Sequence, residues 1–173
     1  MLKPLMEMMA GYNAWANGRL YDAAAALADA DYRANLGAFF GSVHGTLNHL
    51  LVADRIWMRR LTGEGEAPAA LDTILFDDFV ALRAARETED ARIAGHVASL
   101  SETDLAAPFS YRTIVRPAEI SQKRGEALLH VFNHQTHHRG QAHALLTRIT
   151  GAAPSLDLIL FQRERGISTV APL

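Results

Sequence analysis

Residues 123–151, KRGEALLHVFNHQTHHRGQAHALLTRITG, decide how this chain folds. The stretch reads as one long helix from about Lys123 to Thr150, stopped by Gly151. At about 100° per residue, Ala127, Val131, Ala142, Leu145 and Ile149 fall in one apolar arc. His134 and His138 fall in the same arc, whereas His130 and His137 lie to one side. An i, i+4 pair stacks its imidazoles about 40° apart around the axis and roughly 6 Å along it. Two neutral rings held this way can chelate one divalent cation. His130 and His138 stand about 12 Å apart along the axis, too far to share an ion with Zn–N bonds near 2.1 Å.

Working outward, three more helices carry the same periodicity. The first runs from about Pro4, well suited to an opening turn, to about Asp29, with Leu5, Met9, Tyr12, Ala16, Leu20, Ala23 and Leu27 as its apolar stripe. The second starts near Ser42 and ends before Gly63, with Val43, Leu47, Leu50, Trp57, Met58 and Leu61 facing inward. The third spans about Phe76 to Leu100, and its charge run from Arg83 to Arg92 reads as a solvated face. Ser101–Asp104 has the form of a capping box. Pro108 to Lys123 is the least helical part, and Phe109, Tyr111, Thr113, Ile114 and Val115 suit a short extended segment or hairpin. Ser155 is placed to cap a short last helix, Leu156 to about Arg165. The expectation is an all-α four-helix bundle in a single domain, 1–173. It has a short irregular or extended excursion before the last long helix and a short C-terminal helix.

Composition narrows the functions. The chain has 173 residues, 49% of them hydrophobic, and a formal charge of -2 with both signs interspersed. No basic stripe exists to follow a phosphate backbone, so nucleic acid is not an expected partner. No run of about 18 apolar residues suggests a membrane span, and the first residues lack the apolar core of a signal peptide. A cytoplasmic protein is expected. There is no cysteine, which leaves His and carboxylates as the strong metal ligands and excludes an internal thiolate nucleophile.

A third imidazole from another helix would complete a three-nitrogen site with an open position, the mark of a catalytic metal. His49, at the edge of the second helix's apolar face, is the candidate. Asp54 projects from the middle of that face, and a buried carboxylate must be paired or protonated. It reads either as a structural partner of an inward Arg or of the Tyr12/Asn13 region, or as an acceptor that orients a ligand His, or as a general base. His44 and His143 read as structural. Asn133, Arg139 and Gln141 are candidates for contacts to the ligands or a substrate. Tyr12 and Trp15 suit the core, with a pocket wall as the other reading.

Three stretches together resemble the DinB family of damage-inducible-type helical bundles. They are Tyr12-Asn13-Ala14-Trp15-Ala16-Asn17, then Thr46-Leu47-Asn48-His49 with Asp54 and Trp57, then His130 to Gln141. The resemblance implies a four-helix bundle holding a divalent metal, usually nickel or zinc, on three histidines, here His49, His134 and His138. It also implies a transferase using a low-molecular-weight thiol and an electrophilic substrate, and a homodimer. Metal-dependent hydrolysis and a non-catalytic metal-stabilised scaffold in a stress response are the alternatives. Because imidazole must be neutral to bind, metal affinity is expected to fall as pH drops through about 6.5 toward 5.

Overall fold

The structure, a computed structural model, describes residues 1–113, 118–169 and 171. Helices α1 (Lys3–Ala25), α3 (Val43–Thr62), α4 (Phe79–Ser99) and α6 (Arg124–Thr150) are the long rods. Short helices α2 (Asp29–Arg33), α5 (Glu102–Ala106) and α7 (Leu158–Glu164) fill the connections and the C-terminal end. Strands β1 (Pro108–Arg112) and β2 (Glu119–Lys123) form an antiparallel hairpin just before α6, pairing Phe109 with Gln122 and Tyr111 with Ile120. The expected excursion is therefore extended; the part assigned to Ile114 and Val115 lies outside the described residues.

The ends of the rods are set by local chemistry. Ser42 accepts a hydrogen bond from the Gly45 amide at the start of α3, and Gly63 closes it at φ 77°. Asp78 caps α4 by accepting from the Ala81 amide, so that helix begins at Phe79 rather than Phe76. Phe76 is instead held in the preceding loop by Asn48, whose side chain accepts from the Phe76 amide and donates to its carbonyl. Ser101 and Asp104 form the reciprocal capping box of α5. Gly151, at φ 78°, ends α6. Helix α1 stops at Ala25, short of Asp29. The chain turns there so that Tyr32 is buried against the rings of His44 and Phe79 instead of running on past the bundle. At the other end Asp157, not Ser155, occupies the N-cap of α7.

Around the bundle, α1 packs on α4 and α6, and α3 packs on the same two, so α1 and α3 are diagonal. Two apolar clusters fill the interior. One gathers Met6, Met58, Ile93, Val97, Leu128 and Phe132 toward the hairpin end. The other gathers Leu20, Leu47, Leu51, Leu82, Ala142 and Leu146 toward the opposite end.

A buried polar belt lies between them. Asp54 pairs with Arg86 at 2.7 Å, and Arg86 pairs with Asp90 at 2.9 Å. Asp90 accepts from the amides of Asn13 and Asn17, whose carbonyl oxygens accept from Arg139. One turn away on α6, Gln135 donates to Asp54 at 2.6 Å and closes the loop through all four rods. This corrects two expectations. The run Arg83–Arg92 is not only a solvated face: Arg86, Glu89 and Asp90 are buried. The stripe on α1 is also rotated, with Leu5 exposed and Met6, Asn13 and Asn17 inward, because that face supplies the amides that satisfy Asp90. Buried charges survive only when paired and hydrogen-bonded, and every member here has a partner on another rod or one turn away.

Candidate metal centre

Rods α3 and α6 pack side by side, and their facing surfaces bring three imidazoles together. One ring nitrogen from each of His49, His134 and His138 lies within 4.8 Å of the others. Ring centroids are 4.4 Å apart for His49–His138 and for His134–His138, and 5.3 Å for His49–His134. His49 and His138 are buried and His134 is half-buried. His134 therefore sits on the rim of the α6 inner face, whose centre line is Val131, Gln135, Arg139 and Ala142. Two ligands on one tetrahedral ion with bonds near 2.1 Å stand roughly 3.4 Å apart, so modest side-chain torsions close the triad on a single cation.

Two of the rings have their outer nitrogen fixed. His49 Nδ1–H donates to the Leu71 carbonyl at 2.8 Å, and a carbonyl can only accept. The lone pair of His49 is thus on Nε2, which is buried and has no partner among the described residues. His138 Nδ1–H donates to Gln141 Oε1 at 2.8 Å, which leaves its Nε2 free to coordinate. Such outer hydrogen bonds are what orient metal-binding imidazoles. Phe40 stacks on His49 with centroids 3.7 Å apart and meets His138 edge-on, closing the site from the side.

The electrostatics favour neutral ligands. Burial pushes His49 down to about 4, the nearby His138 adding to the effect while the Leu71 bond opposes it. Burial, then His138 and His49, push His134 down to about 3. Burial also lowers His138, against the bond to Gln141. All three rings are lone-pair donors at neutral pH. An orphaned buried nitrogen, two fixed tautomers and an all-imidazole donor set fit a divalent first-row cation.

The remaining candidates occupy different places. Asp54 contacts Gln135 and Arg86 and none of the three histidines, and burial raises its carboxyl to about 6 against the pull of Arg86. Arg139 is buried in the polar belt with its guanidinium over the Tyr12 ring. Tyr12 donates to the Leu156 carbonyl and Trp15 to Glu164, and both pack on Phe161, so they seat the C-terminal helix. Asn133 is exposed. Gln141 alone of these touches a member of the triad. His44 hydrogen-bonds the Phe76 carbonyl.

Sequence reasoning passed over Phe40, Leu71 and Asn48. Leu71 acts through its backbone carbonyl, which no side-chain pattern reveals. Asn48 grips Leu75 and Phe76 and so holds the loop that carries Leu71. Its place directly before His49 was the available signal.

Beyond His134 a cavity of about 300 Å³ opens between α3, α6 and the hairpin. Ile56, Trp57, Arg60, Tyr111 and His130 are among its walls, and His134 is common to cavity and triad. His134 is thus the member of the triad that faces this cavity.

The sequence profile of the DinB family matches residues 1–166. Protein DinB of Bacillus subtilis (strain 168) is 24% identical over 158 residues, covering 87% of this chain and 89% of that protein.

Proposed function

The chain belongs to the DinB family, and from that premise we propose a metal-dependent enzyme whose ion, nickel or zinc, is held by His49, His134 and His138. The reading is carried by the Nε2 of His49, a buried lone pair without a protein partner among the described residues and close to two more imidazoles. A buried polar atom in that condition costs stability unless something binds it. Metal-free, the site is an unfavourable arrangement kept in place by the Leu71 carbonyl, Gln141 and the Phe40 ring.

The reaction we assign is transfer of a low-molecular-weight thiol to an electrophile. When bound by three neutral ligands, a divalent ion retains its full charge and lowers the pKa of a coordinated thiol or water toward neutrality. The chain has no cysteine, so the sulfur nucleophile comes from an external thiol. The protein's own residues hold His49 and His138 each in one tautomer, and Phe40 covers the site from one side. The cavity past His134 admits the second reactant.

Turnover of 1-chloro-2,4-dinitrobenzene by nickel- or zinc-loaded protein tests this, with glutathione, cysteine or coenzyme A as thiol and with none. We expect turnover that needs both thiol and metal and is lost in His134→Ala. Ester hydrolysis proceeding equally without thiol would assign water as the nucleophile instead. Stoichiometric metal without turnover in either assay would leave the site a structural staple and overturn the enzyme reading.

A further inference from the structure

Arg60 has a setting the metal site does not explain. It lies about three turns beyond His49 on α3, about 16 Å along the axis, and helical side chains lean back toward the N-terminus, here toward the triad. Its guanidinium carbon lies within cation–π range of both Trp57 (4.7 Å) and Tyr111 (4.8 Å), and its Nη2 donates to the Arg112 carbonyl at 3.1 Å. Like several other arginines of the chain, it has no carboxylate partner among the described residues, but it lies inside a cavity. It is half-buried, and it lines the cavity that ends on His134.

Nη2 carries two N–H groups and gives one to the Arg112 carbonyl, while Nε and Nη1 have no acceptor among the described residues, so one planar fork that includes the second Nη2 N–H is open. That fork matches a carboxylate. Burial lowers the Arg60 pKa and Tyr111 opposes it, and no carboxylate among the described residues offsets the desolvation. The walls around it include the apolar side chains of Ala53 and Ile56 and the rings of Trp57 and Tyr111. The volume, about 300 Å³, is at the small end of pockets for organic ligands.

We propose that this cavity binds a small organic carboxylate, its flat apolar body against Trp57 and Tyr111, its carboxylate on the Arg60 fork and its other end toward the three histidines. This names a substrate class for the metal site and so rests on that reading, although the Arg60 contact itself needs no metal. The carboxylate belongs either to the thiol or to the electrophile.

Calorimetric or NMR titration of the full-length, metal-free protein with 3-phenylpropionate and with uncharged 3-phenylpropionamide tests the inference. The acid is expected to bind about tenfold or more tightly than the amide, the strength of one charge-assisted contact. Arg60→Gln, which keeps most of the stem, should abolish the preference, and Arg60→Lys should retain part of it. Both variants should keep the wild-type circular dichroism spectrum and wild-type metal content. Equal affinity for acid and amide, or a preference that survives Arg60→Gln, overturns the proposal. Metal binding measured separately keeps the two readings apart. Full metal occupancy with no acid preference sinks the carboxylate site alone, and an acid preference without metal binding sinks the metal centre alone. Cysteine-free acids competing with glutathione in the titration place the carboxylate on the thiol, and additive binding places it on the electrophile.

Discussion

At Gly45 an added Cβ would collide with the Phe40 carbonyl oxygen. The missing methyl lets the Phe40 segment lie against the first turn of α3, and from there its ring stacks on His49. Gly45→Ala is therefore expected to cost about 1–3 kcal/mol by overpacking, read in a urea melt. A change below a few tenths would show that the contact relaxes freely. Gln141 acts on the other ring. Gln141→Leu removes the acceptor that fixes His138 and should weaken metal affinity about 10–100-fold while leaving the fold intact. Protonation gives a third test. His49 at about 4 and His134 at about 3 lie below the ordinary 6.5, so the unfolded chain takes up their protons first. The stability this pair contributes to the metal-free protein is whole above pH 6.5 and is lost as pH falls toward 4 and then 3. Asp54, held up at about 6, works in the opposite sense: its contribution is present at low pH and declines as pH rises from about 4 through 6. Imidazole NMR signals of the metal-free protein should show His49 and His134 still neutral at pH 5. Midpoints near 6.5 would contradict the burial described here. Proton competition for metal accordingly begins at lower pH than ordinary histidines would suggest.

At the scale of helices, boundaries written in local chemistry were legible in the sequence. Ser42, Gly63, the Ser101–Asp104 box and Gly151 mark ends because capping needs only near neighbours. The inward faces of α1, α4 and α6 were less legible, and for one reason. Apolar periodicity locates a face only when inward residues are apolar, and here Asn13, Asn17, Arg86, Asp90, Gln135 and Arg139 point inward. Each is paired with a residue on another rod, and sequence spacing carries no record of such partners. Asp54 was the exception, since a lone carboxylate in the middle of an apolar stripe announced a buried partner. The belt makes a sharp prediction. Arg86→Leu strands Asp54 and Asp90 and should cost about 3–5 kcal/mol in chemical denaturation. Arg83→Ala, three residues away and pairing with exposed Asp22 and Glu87, should cost no more than about 1 kcal/mol. Similar losses for the two variants would argue against the belt.

For the whole molecule, the polar belt divides the bundle core into two apolar clusters, and the triad sits beside it where α3 meets α6. The three clustered histidines were legible because two share a helix at i, i+4 and because the motifs around all three resemble one family. The cavity and Arg60 were not, since they depend on the hairpin folding back over α3 and α6. An ion bridging two rods binds the folded chain and not the unfolded one. At a free concentration 100 times its dissociation constant it adds about 2.7 kcal/mol, a rise of about 5–10 °C in melting temperature for a domain of this size. The most direct test is elemental analysis of protein purified without a histidine tag, alongside His49→Ala and His134→Ala. The account predicts close to one nickel or zinc per chain in the wild type and near-complete loss in both variants, each still helical. Trace metal in the wild type, or metal content unchanged by removing either ring, would contradict it.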